Sequence, residues 1–482
     1  MKVYIFTEGG INIGYGHITR CNALCSELIK KNVEVDLVVD GSISDIDYIS
    51  KVNIINKNWL DLNYLKKSIT DNDYVIIDSY KATKEIYDLI AKRAKKVLYV
   101  DDIYRLDYPE GVIVNPSLLS DTIKYSQLKH NLILSGPEYI ILREPFRNIS
   151  TKEINKHISR VLITLGATDI RDLTSVILDN IAIKHSDIVF DVILSEDKFS
   201  NFKSSNNNNI VFHTNVTANT MCEIMCRVDF AITAAGQTIY ELIATETPFI
   251  AIQVIENQKE NIVALNKLIS QNITIKYDES NFINTLSLMF EELTKLNNRK
   301  NIHDTIKYSI DGLGSKRIIE YLLEDEVVVK SIKIRHANLD DMNDVYILSN
   351  DKLVRMYSIN KAKINWEEHV KWFNYVISDP NIVFYIIENQ NANFLGQIRY
   401  SITGSTSIIS ISLSWKIRGR GFSKTILEKS INKLFSEREF VKEIVAYVST
   451  ENKASITIFK DLNFIEIERD NNLIKYQLNR GE

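Results

Sequence analysis

The sequence has no hydrophobic run of the roughly 18 residues that a membrane-spanning helix needs. Its opening stretch, MKVYIFTEGG, is also too short in apolar residues for a secretion signal. Both absences predict a cytoplasmic protein that has no membrane partner. Basic residues (58) do not exceed acidic ones (62), the net charge is −4, and this balance gives no support to a nucleic-acid partner.

Cysteine is scarce, with four residues that form two pairs, Cys21/Cys25 and Cys222/Cys226. A spacing of four places each pair on one face of a helix. A zinc site would require both pairs to meet and all four thiolates to converge. Buried free thiols in a reducing compartment are the favoured interpretation, and we expect no metal.

The length of 482 residues predicts about three domains at roughly 150 residues each. No internal repeat and no low-complexity tract is visible. We place the domains at residues 1–148, 149–326 and 331–482. The first two alternate short Val/Ile-rich runs with amphipathic stretches, which is typical of parallel strands covered on both faces by helices.

The sequence therefore predicts an α/β protein of two Rossmann-like domains, followed by an α+β domain with a different order of strands and helices. The strands predicted in the first two domains are residues 2–6, 34–40, 74–80, 96–102, 111–117, 159–168, 187–194, 209–216, 228–236 and 248–255.

The loop GYGHITRC, residues 14–21, lies between the first strand and the first helix. Gly14 and Gly16 allow backbone N–H groups to approach a ligand closely. His17 begins the helix at the position where α/β folds bind ligands, and a helix N-terminus favours the neutral imidazole that acts as a base. A capping or packing role is an equal alternative. An NAD site is a weaker alternative, because the third glycine of the dinucleotide-binding motif is missing. Asp40 is the nearest candidate for the acid that would bind the ribose of NAD.

GYGHITRCNALCSEL also resembles the opening of the UDP-2,4-diacetamido-2,4,6-trideoxy-β-L-altropyranose hydrolases of pseudaminic acid biosynthesis, and the resemblance extends over about residues 1–325. This family is similar to GT-B glycosyltransferases, in which two Rossmann-like domains face each other across a cleft. Further stretches follow in the family's order, namely VIIDSY, VDDIYR, NPSL, GPEYIILREPF, VLITLGATD, AAGQTIYEL and ENQKEN.

The resemblance implies a UDP-sugar substrate, inverting C–O cleavage and no metal. Where the family has Gly-Gly-Ser-Asp and Gly-Ser-Thr-Thr stretches, this chain has Gly-Ala-Thr-Asp at 166–169 and Gly-Gln-Thr-Ile at 236–239, which leaves the sugar preference open. The residues expected to contact the sugar or UDP are Gly14, Gly16, Arg20, Tyr80, Arg143, Gly166, Gly236, Gln237, Thr238, Glu241, Asn257 and Gln258.

Inverting hydrolysis of a UDP-sugar needs a base for water, whereas UDP leaves as a stabilised anion without a strong acid. Histidine suits this role, and we expect His17 to be the base. The turn before Thr238 offers N–H donors to the diphosphate. By the GT-B resemblance, Glu241 would accept from ribose hydroxyls. Solvation of Glu241 and burial of Tyr80 in the core are the alternatives.

The pair Asp101 and Asp102 follows a predicted strand. Such a pair is more often a turn and capping feature than a metal site.

The third domain contains Arg418-x-x-Gly421-x-Ser423 between a strand and a helix, which resembles the pyrophosphate-binding turn of GNAT acetyltransferases. Consecutive N–H groups at a helix start bind the pyrophosphate of coenzyme A. The residues expected to bind acetyl-CoA are Leu413, Trp415, Arg418, Gly419, Arg420, Gly421, Ser423, Asn452 and Ser455.

Two more stretches bear on acetyl transfer. ENKASITIFKDLNF resembles the later GNAT helix. Many GNAT enzymes have a tyrosine that serves as general acid where this chain has Phe459, so another group or water would protonate the leaving thiolate. Residues 354–357 and 366–373 resemble the acetyltransferase that modifies the 4-amino group of UDP-4-amino-4,6-dideoxy-N-acetyl-β-L-altrosamine. His369 shares a helix face with Trp372, Phe373 and Val376, which predicts core packing, and His369 is also a candidate base.

The acetylated product of that transferase is the substrate of the hydrolase, so the sequence predicts a bifunctional enzyme. A GT-B glycosyltransferase with an attached acetyltransferase is one alternative. A nucleotide-sugar or acyl-CoA binding protein without catalysis is another.

Overall fold

The computed structural model describes residues 2–10, 14–41, 52–118, 132–147, 149, 151–166, 169–202, 208–323, 332–390, 392–419 and 421–481. The chain forms two compact units, residues 1–324 and residues 325–482. The first unit contains two parallel sheets with helices on their faces, which confirms the mixed α/β class.

The first sheet has the strand order β3-β2-β1-β4-β5-β6-β7, and all its pairs are parallel. Its strands are β1 (Lys2–Gly9), β2 (Glu34–Gly41), β3 (Asn53–Asn56), β4 (Tyr74–Asp78), β5 (Lys96–Val100), β6 (Val112–Asn115) and β7 (Leu132–Ser135). The helices among them are α1 (Gly16–Lys30), α2 (Leu62–Ser68) and α3 (Lys84–Arg93).

Side chains alternate between two separate apolar layers along β1, because successive residues of a strand point to opposite faces. Val3 and Ile5 pack with α1, whereas Phe6 packs with Trp59 on the other face. Both faces of the strand are thus covered, which is the physical reason for its continuous apolar sequence.

The second sheet has the order β10-β9-β8-β11-β12-β13 and is also parallel. Its strands are β8 (Arg160–Thr164), β9 (Val189–Ile193), β10 (Ile210–His213), β11 (Phe230–Ala234), β12 (Phe249–Gln253) and β13 (Thr274–Lys276). The accompanying helices are α4 (Leu173–Asn180), α5 (Glu196–Phe199), α6 (Ala218–Arg227), α7 (Thr238–Ala244), α8 (Lys259–Leu268), α9 (Phe282–Thr294) and α10 (Leu296–Ile306). A last helix, α11 (Gly314–Leu323), follows them along the chain.

The strand order reverses between β1 and β4 in the first sheet, and between β8 and β11 in the second. Open α/β sheets bind ligands at the carboxyl ends of the strands next to such a reversal. The loop that carries His17 and the last residue of β4, Asp78, both lie at this position in the first sheet.

The last helix of the unit, α11, returns to the first sheet. Ile318, Ile319 and Leu322 are buried in the same core cluster as the apolar face of α1. A Cβ at Gly314 would lie 2.1 Å from the carbonyl oxygen of Ile140, so this close approach requires glycine. The segment predicted as the second domain, 149–326, thus contributes its last helix to the core of the first.

The second unit contains one seven-stranded sheet of order β14-β15-β16-β17-β18-β20-β19. Its strands are β14 (Ile332–His336), β15 (Ile382–Asn389), β16 (Phe394–Thr403), β17 (Thr406–Leu413), β18 (Glu443–Ser449), β19 (Ile465–Arg469) and β20 (Leu473–Asn479). Its helices are α12 (Met342–Ser349), α13 (Lys352–Tyr357), α14 (Trp366–Ser378), α15 (Phe422–Glu437) and α16 (Lys453–Asp461).

The parallel strands β17 and β18 pair at one end and diverge toward the other. They pair over 406–409 of β17, whereas residues 410–413 pair with β16 on their other side. Helices α15 and α16 pack on one face of this sheet, and α12 and α14 pack on the other. The opening between β17 and β18 therefore exposes strand backbone at the end that leads into α15.

We expect the packing of α11 to be required for the stability of the first unit. Leu322→Ala removes a fully buried side chain and should destabilise that unit by about 2–5 kcal/mol. Leu288→Ala, at a site that is 68% exposed, should change stability by less than about 0.5 kcal/mol. Urea unfolding followed by tryptophan fluorescence measures both, and equal effects of the two variants would contradict this packing.

Candidate active sites

Three acidic residues lie at the carboxyl ends of neighbouring strands of the first sheet. Glu8 is near the end of β1, Asp78 ends β4, and Asp102 follows β5 by two residues. Because parallel strands end at the same edge of a sheet, these carboxylates lie beside the first turns of α1, which carry His17 and Arg20.

Asp78 is the common partner in this cluster. Its Oδ1 lies 2.7 Å from Nδ1 of His17, and it accepts two hydrogen bonds from Arg20, at 2.5 Å from Nε and 2.6 Å from Nη2. Nη1 of Arg20 donates to Asp102 at 2.8 Å. The Tyr80 hydroxyl donates to the other oxygen of Asp102 at 2.6 Å.

The charges in this cluster are stabilised by one another. Burial opposes ionisation of Asp78, but Arg20 and His17 outweigh burial and hold the pKa of Asp78 well below its usual range. Burial opposes ionisation of Asp102 too, and its contacts with Arg20 and Tyr80 lower its pKa nevertheless. Burial lowers the pKa of the Arg20 guanidinium, but the carboxylates of Asp78 and Asp102 outweigh burial and raise this pKa well above its usual value, so Arg20 is charged.

The hydrogen bond to Asp78 determines the orientation of His17. An ionised carboxylate only accepts, so Nδ1 of His17 carries the proton, and the second ring nitrogen, Nε2, is left to accept one. His17 is the second residue of α1, and this helix has no side-chain cap and no acid in its first turn. The Tyr80 ring meets the imidazole edge-on at 4.6 Å between centroids.

Glu8 links β1 to the loop after β4. It accepts hydrogen bonds from the Ser79 hydroxyl, from the backbone N–H of Tyr80 at 2.6 Å and from that of Lys81 at 3.2 Å. These bonds position Tyr80. Sequence reasoning assigned no role to Glu8 or Asp78, although an acid near the end of an otherwise apolar strand is a usable signal.

Asp101 and Asp102 have different partners. Asp101 accepts the backbone N–H groups of Ile103 and Arg105, at 3.3 and 3.2 Å, and so forms the expected turn. Asp102 instead joins the cluster through Arg20. The turn interpretation thus holds for Asp101 only.

Gly14 and Gly16 lie at the end of the loop that leads from β1 into α1. Gly14 has a left-handed φ of +86°, exchanges backbone hydrogen bonds with Gly10, and has open space where a Cβ would be. A Cβ at Gly16 would lie 4.0 Å from Cγ of Gln237, in the turn before α7. The two predicted ligand loops are therefore close to each other within this unit.

Glu241 and Arg143, both predicted site residues, bind each other. Oε1 of Glu241 lies 2.8 Å from Nε and 2.7 Å from Nη2 of Arg143. Burial raises the pKa of Glu241, and Arg143 opposes this rise. Glu241 is buried rather than solvated, and Arg143 binds one of its two carboxylate oxygens.

The remaining predicted contacts of the second sheet surround Gly236. The side-chain oxygen of Gln258 accepts the backbone N–H of Val254 at 2.8 Å, and its Nε2 lies 3.6 Å from the position of a Cβ at Gly236. Asn261, which sequence reasoning missed, donates to the carbonyl of Ala235 at 2.8 Å.

Three further predicted residues differ in their exposure and conformation. Asn257 is exposed and Thr238 is half-buried. Gly166 has a left-handed φ of +88°, and the two residues after it, 167 and 168, lie outside the described residues.

In the second unit, the predicted coenzyme A turn lies between β17 and α15. Gly419 and Gly421 have left-handed φ values of +70° and +76°, and open space surrounds both Cβ positions. Gly421 precedes α15, which has no side-chain cap and no acid in its first turn. Ser423 is half-buried in that turn, and Arg420 lies outside the described residues.

Arg418 faces the protein instead of the open turn. Its Nε donates to the carbonyl of Leu413 at 2.6 Å, and Nη2 lies 3.1 Å from the carboxylate of Asp351, which caps α13. Trp415 is half-buried in the same turn. Arg418 thus connects the end of β17 to α13.

Asn452 caps α16 by accepting the backbone N–H of Ser455 at 3.1 Å. Phe459 is buried in the core, where its ring meets Phe464 edge-on and stacks on Tyr476. This Phe459 packing is purely apolar.

On α14, Phe373 and Val376 are buried in a core cluster, as the shared helix face predicts. His369 is buried too, and it lines a cavity together with Trp372. In the described part of the chain, no group of three or more His, Cys, Asp or Glu side chains is placed to hold a metal ion. None of the helices in these same ranges is both long and apolar enough to cross a bilayer.

Comparison with known proteins identifies the class of the second unit. Residues 331–465 match the family model of the acetyltransferase (GNAT) domain. Among solved structures, spermidine N-acetyltransferase from Vibrio cholerae in complex with CoA and spermine is 16% identical, covers 31% of this chain and 96% of its own, and gives a TM-score of 0.30. A domain from Methanocaldococcus jannaschii is 22% identical over 31% of this chain and 99% of its own, with a TM-score of 0.28.

Two curated proteins match more of the chain. An uncharacterized protein of Methanocaldococcus jannaschii is 26% identical over 83% of this chain and 84% of its own length. The pseudaminic acid cytidylyltransferase and UDP-2,4-diacetamido-2,4,6-trideoxy-β-L-altropyranose hydrolase of Helicobacter pylori is 26% identical over 54% of this chain and 45% of its own length. The chain thus combines a likeness to that pseudaminic acid enzyme with a GNAT domain, as a fusion of the two would.

The cluster around Asp78 predicts a pH-dependent stability. Asp78→Asn leaves the buried Arg20 without its main counter-ion and should cost about 3–5 kcal/mol at neutral pH. Asp102→Asn, at a more exposed carboxylate, should cost less.

Because the pKa of Asp78 is lowered by folding, its contribution is fully present above the unfolded carboxyl pKa of about 3.9 and is lost below it. Thermal unfolding of wild type and Asp78→Asn between pH 2.5 and 8 measures this. The difference in stability between wild type and Asp78→Asn should be constant above about pH 5 and should decrease below about pH 4. A difference that stays constant to the lowest pH would contradict the ionised pair.

Proposed function

We propose that this chain is a bifunctional nucleotide-sugar enzyme of pseudaminic acid biosynthesis. Its GNAT unit acetylates the 4-amino group of UDP-4-amino-4,6-dideoxy-N-acetyl-β-L-altrosamine. The first unit then hydrolyses the product, with inversion, to UDP and 2,4-diacetamido-2,4,6-trideoxy-L-altrose. The ordered motifs and the Helicobacter pylori relative support this proposal, and the hydrogen bond between His17 and Asp78 carries its hydrolytic half.

In the proposed hydrolysis, His17 is the general base. Asp78 holds the proton on Nδ1, so Nε2 accepts a proton from water as the oxygen attacks the anomeric carbon. The carboxylate stabilises the imidazolium that forms. Arg20 keeps Asp78 ionised and in place through two hydrogen bonds. Because Nη2 of Arg20 and the protonated Nδ1 of His17 are both donors, their 3.1 Å separation is a contact and not a hydrogen bond. Tyr80, beside the imidazole, is the proposed sugar contact.

The leaving UDP needs stabilisation of its negative charge. We assign this to backbone N–H groups at the start of α1, next to Gly14 and Gly16, with Gly236, Gln237 and Thr238 on the facing turn. The approach of Gly16 to Gln237 supports a GT-B-like cleft between the two sheets of this unit. Since Arg143 binds the Glu241 carboxylate, we infer that Arg143 and Glu241 together recognise the ribose or a phosphate of UDP.

For the proposed acetyl transfer, acetyl-CoA is the co-substrate. The open turn at Gly419 and Gly421 and the uncapped start of α15 fit a pyrophosphate. The backbone of β17 near Leu413, where the strand separates from β18, fits an extended pantetheine arm. Arg418 acts by holding this turn in position. All four cysteines are free thiols, in keeping with a reaction in the reducing cytoplasm; three are buried as expected, whereas Cys226 is exposed.

The direct test supplies the 4-amino UDP-sugar in ¹⁸O-labelled water, with and without acetyl-CoA, and follows the products by mass spectrometry. The proposal predicts acetylated free sugar that carries the label, together with unlabelled UDP. Labelled UDP would indicate P–O cleavage. Accumulation of acetylated UDP-sugar until a sugar acceptor is added would identify a glycosyltransferase instead.

His17→Asn tests the base in particular. Asparagine can still donate a hydrogen bond to Asp78, but it has no equivalent of Nε2, so kcat for hydrolysis should fall by about 10²- to 10⁴-fold. Acetyl transfer, measured as release of the CoA thiol, should be unchanged. His157→Asn, at an exposed histidine of the same unit, is the matched control and should hydrolyse as wild type does. Full hydrolysis by His17→Asn would exclude His17 as the base.

A further inference from the structure

The second unit contains a cavity of about 380 Å³, the size of a small-molecule site. Its floor is the face of β15, β16 and β17 that carries α12 and α14, and helices α12–α14 form its walls. The residues that line this acceptor cavity, as we name it, are Ser349, Val354, Arg355, Ser358, Ile364, Glu368, His369, Trp372, Phe384, Gln397, Arg399, Ser410 and Ser412.

The acceptor cavity adjoins the opening between β17 and β18. Ser410 and Ser412 belong to the part of β17 that has separated from β18. They stand in cross-strand register with Arg399 and Gln397 of β16, respectively. The four side chains therefore form one polar floor directly beside the β17 backbone to which we assign the pantetheine arm of acetyl-CoA.

Arg399 has no counter-ion in the part of the chain that the structure describes. Its guanidinium lies 5.3 Å from the centre of the Trp372 ring, and its buried Nε has no hydrogen-bond partner. Burial lowers the pKa of Arg399, and no carboxylate offsets this. A half-buried, unpaired guanidinium at the floor of a cavity is unfavourable by itself and becomes favourable when an anion binds.

The other charged groups that line the cavity do not neutralise Arg399. Glu368 is exposed to solvent. Arg355 adds a second positive charge, and its Nη1 donates to the carbonyl oxygen of Asn360 at 3.0 Å. The formal charge of the lining is thus positive, which disfavours a polycationic ligand.

His369 supplies a base in the same cavity. Its Nε2 lies 2.9 Å from the carbonyl oxygen of Met342, and a carbonyl only accepts, so Nε2 carries the proton. Nδ1 is then a lone-pair nitrogen, and it has no partner among the described residues. Burial lowers the pKa of His369, which favours the neutral ring.

We propose that the acceptor cavity binds an amine that carries an anionic group, with Arg399 binding the anion and His369 accepting the proton of the ammonium. This rests on the proposed function, in which the anion is the diphosphate of the UDP-sugar. Nδ1 of His369 takes one proton from the ammonium. The freed amine forms an N–C bond to the thioester carbonyl, the C–S bond breaks with its electron pair going to sulfur, and the remaining excess proton on nitrogen passes to the thiolate.

The test measures kcat/KM for acetyl transfer with the full chain and a panel of amines. The panel contains the 4-amino UDP-sugar, the methyl glycoside of the same amino sugar, glucosamine 6-phosphate and spermidine. Wild type should prefer an anionic amine over both the neutral glycoside and spermidine. Arg399→Gln should lower kcat/KM for the anionic amine by about 10- to 100-fold, mainly through KM, and leave the neutral glycoside within about threefold.

Two further variants separate charge from folding. Arg399→Lys keeps the positive charge and should keep part of the preference for anionic amines. Arg469→Gln, at an exposed arginine on β19, should leave kcat/KM for every amine of the panel unchanged. A preference of wild type for spermidine, or an equal loss by Arg399→Gln on charged and neutral amines, would overturn the proposal.

The panel also distinguishes the two proposals. Preference for glucosamine 6-phosphate with no turnover of the UDP-sugar would refute the proposed function and support an anion-binding acceptor cavity. Turnover of the UDP-sugar and of its methyl glycoside with equal efficiency would support the proposed function and refute the role of Arg399.

His369→Gln tests the base. Glutamine can still donate to the carbonyl of Met342, which preserves the contact between α12 and α14, but it has no basic nitrogen. We expect kcat for acetyl transfer to fall by about 10²-fold or more, with KM for the amine changed by less than about threefold. A variant that keeps the wild-type kcat, or that changes KM alone, would show that His369 only packs against α12.

Discussion

The buried ion pair between Arg20 and Asp78 is the interaction on which the first site depends. A guanidinium and a carboxylate that are both withdrawn from water are stable only together, because either charge alone would be costly. The two residues come from α1 and from the end of β4, so the pair also fixes how the helix meets the sheet. His17 and Asp102 are held by hydrogen bonds to these same two groups.

The sequence predicted the strands that are buried on both faces, because those strands are continuous apolar runs. In the first unit it missed β3, β7 and β13. The strands β3 and β7 have four residues each and β13 has three, and each lies at an edge of its sheet. Short or edge strands carry little of the apolar pattern that sequence reasoning uses.

The candidate site, too, was predicted only in part. His17, Arg20 and Tyr80 were predicted because they lie in motifs with a recognisable order. The roles of Asp78 and Glu8 come from partners 61 and 72 residues away, and local sequence does not reveal such pairings. Glu241 was predicted from resemblance as a ribose ligand, but the sequence does not show that Arg143, 98 residues earlier, engages its carboxylate.

The two proposed bases, His17 and His369, share one hydrogen-bonding arrangement in different surroundings. In each, one ring nitrogen of a histidine donates to a fixed acceptor, which leaves the other nitrogen free to take a proton. The acceptor is a carboxylate for His17 and a backbone carbonyl for His369.

The proposed hydrolysis depends most directly on the position of the proton between His17 and Asp78. Nitrogen-15 NMR of the histidine-labelled protein, with His17 assigned through the His17→Asn variant, reports which ring nitrogen is protonated. We predict a proton on Nδ1 of His17 and a carbon-13 shift of Asp78 that shows an ionised carboxylate throughout pH 5–8. A neutral ring that is protonated on Nε2, or a protonated Asp78 in that range, would contradict the account.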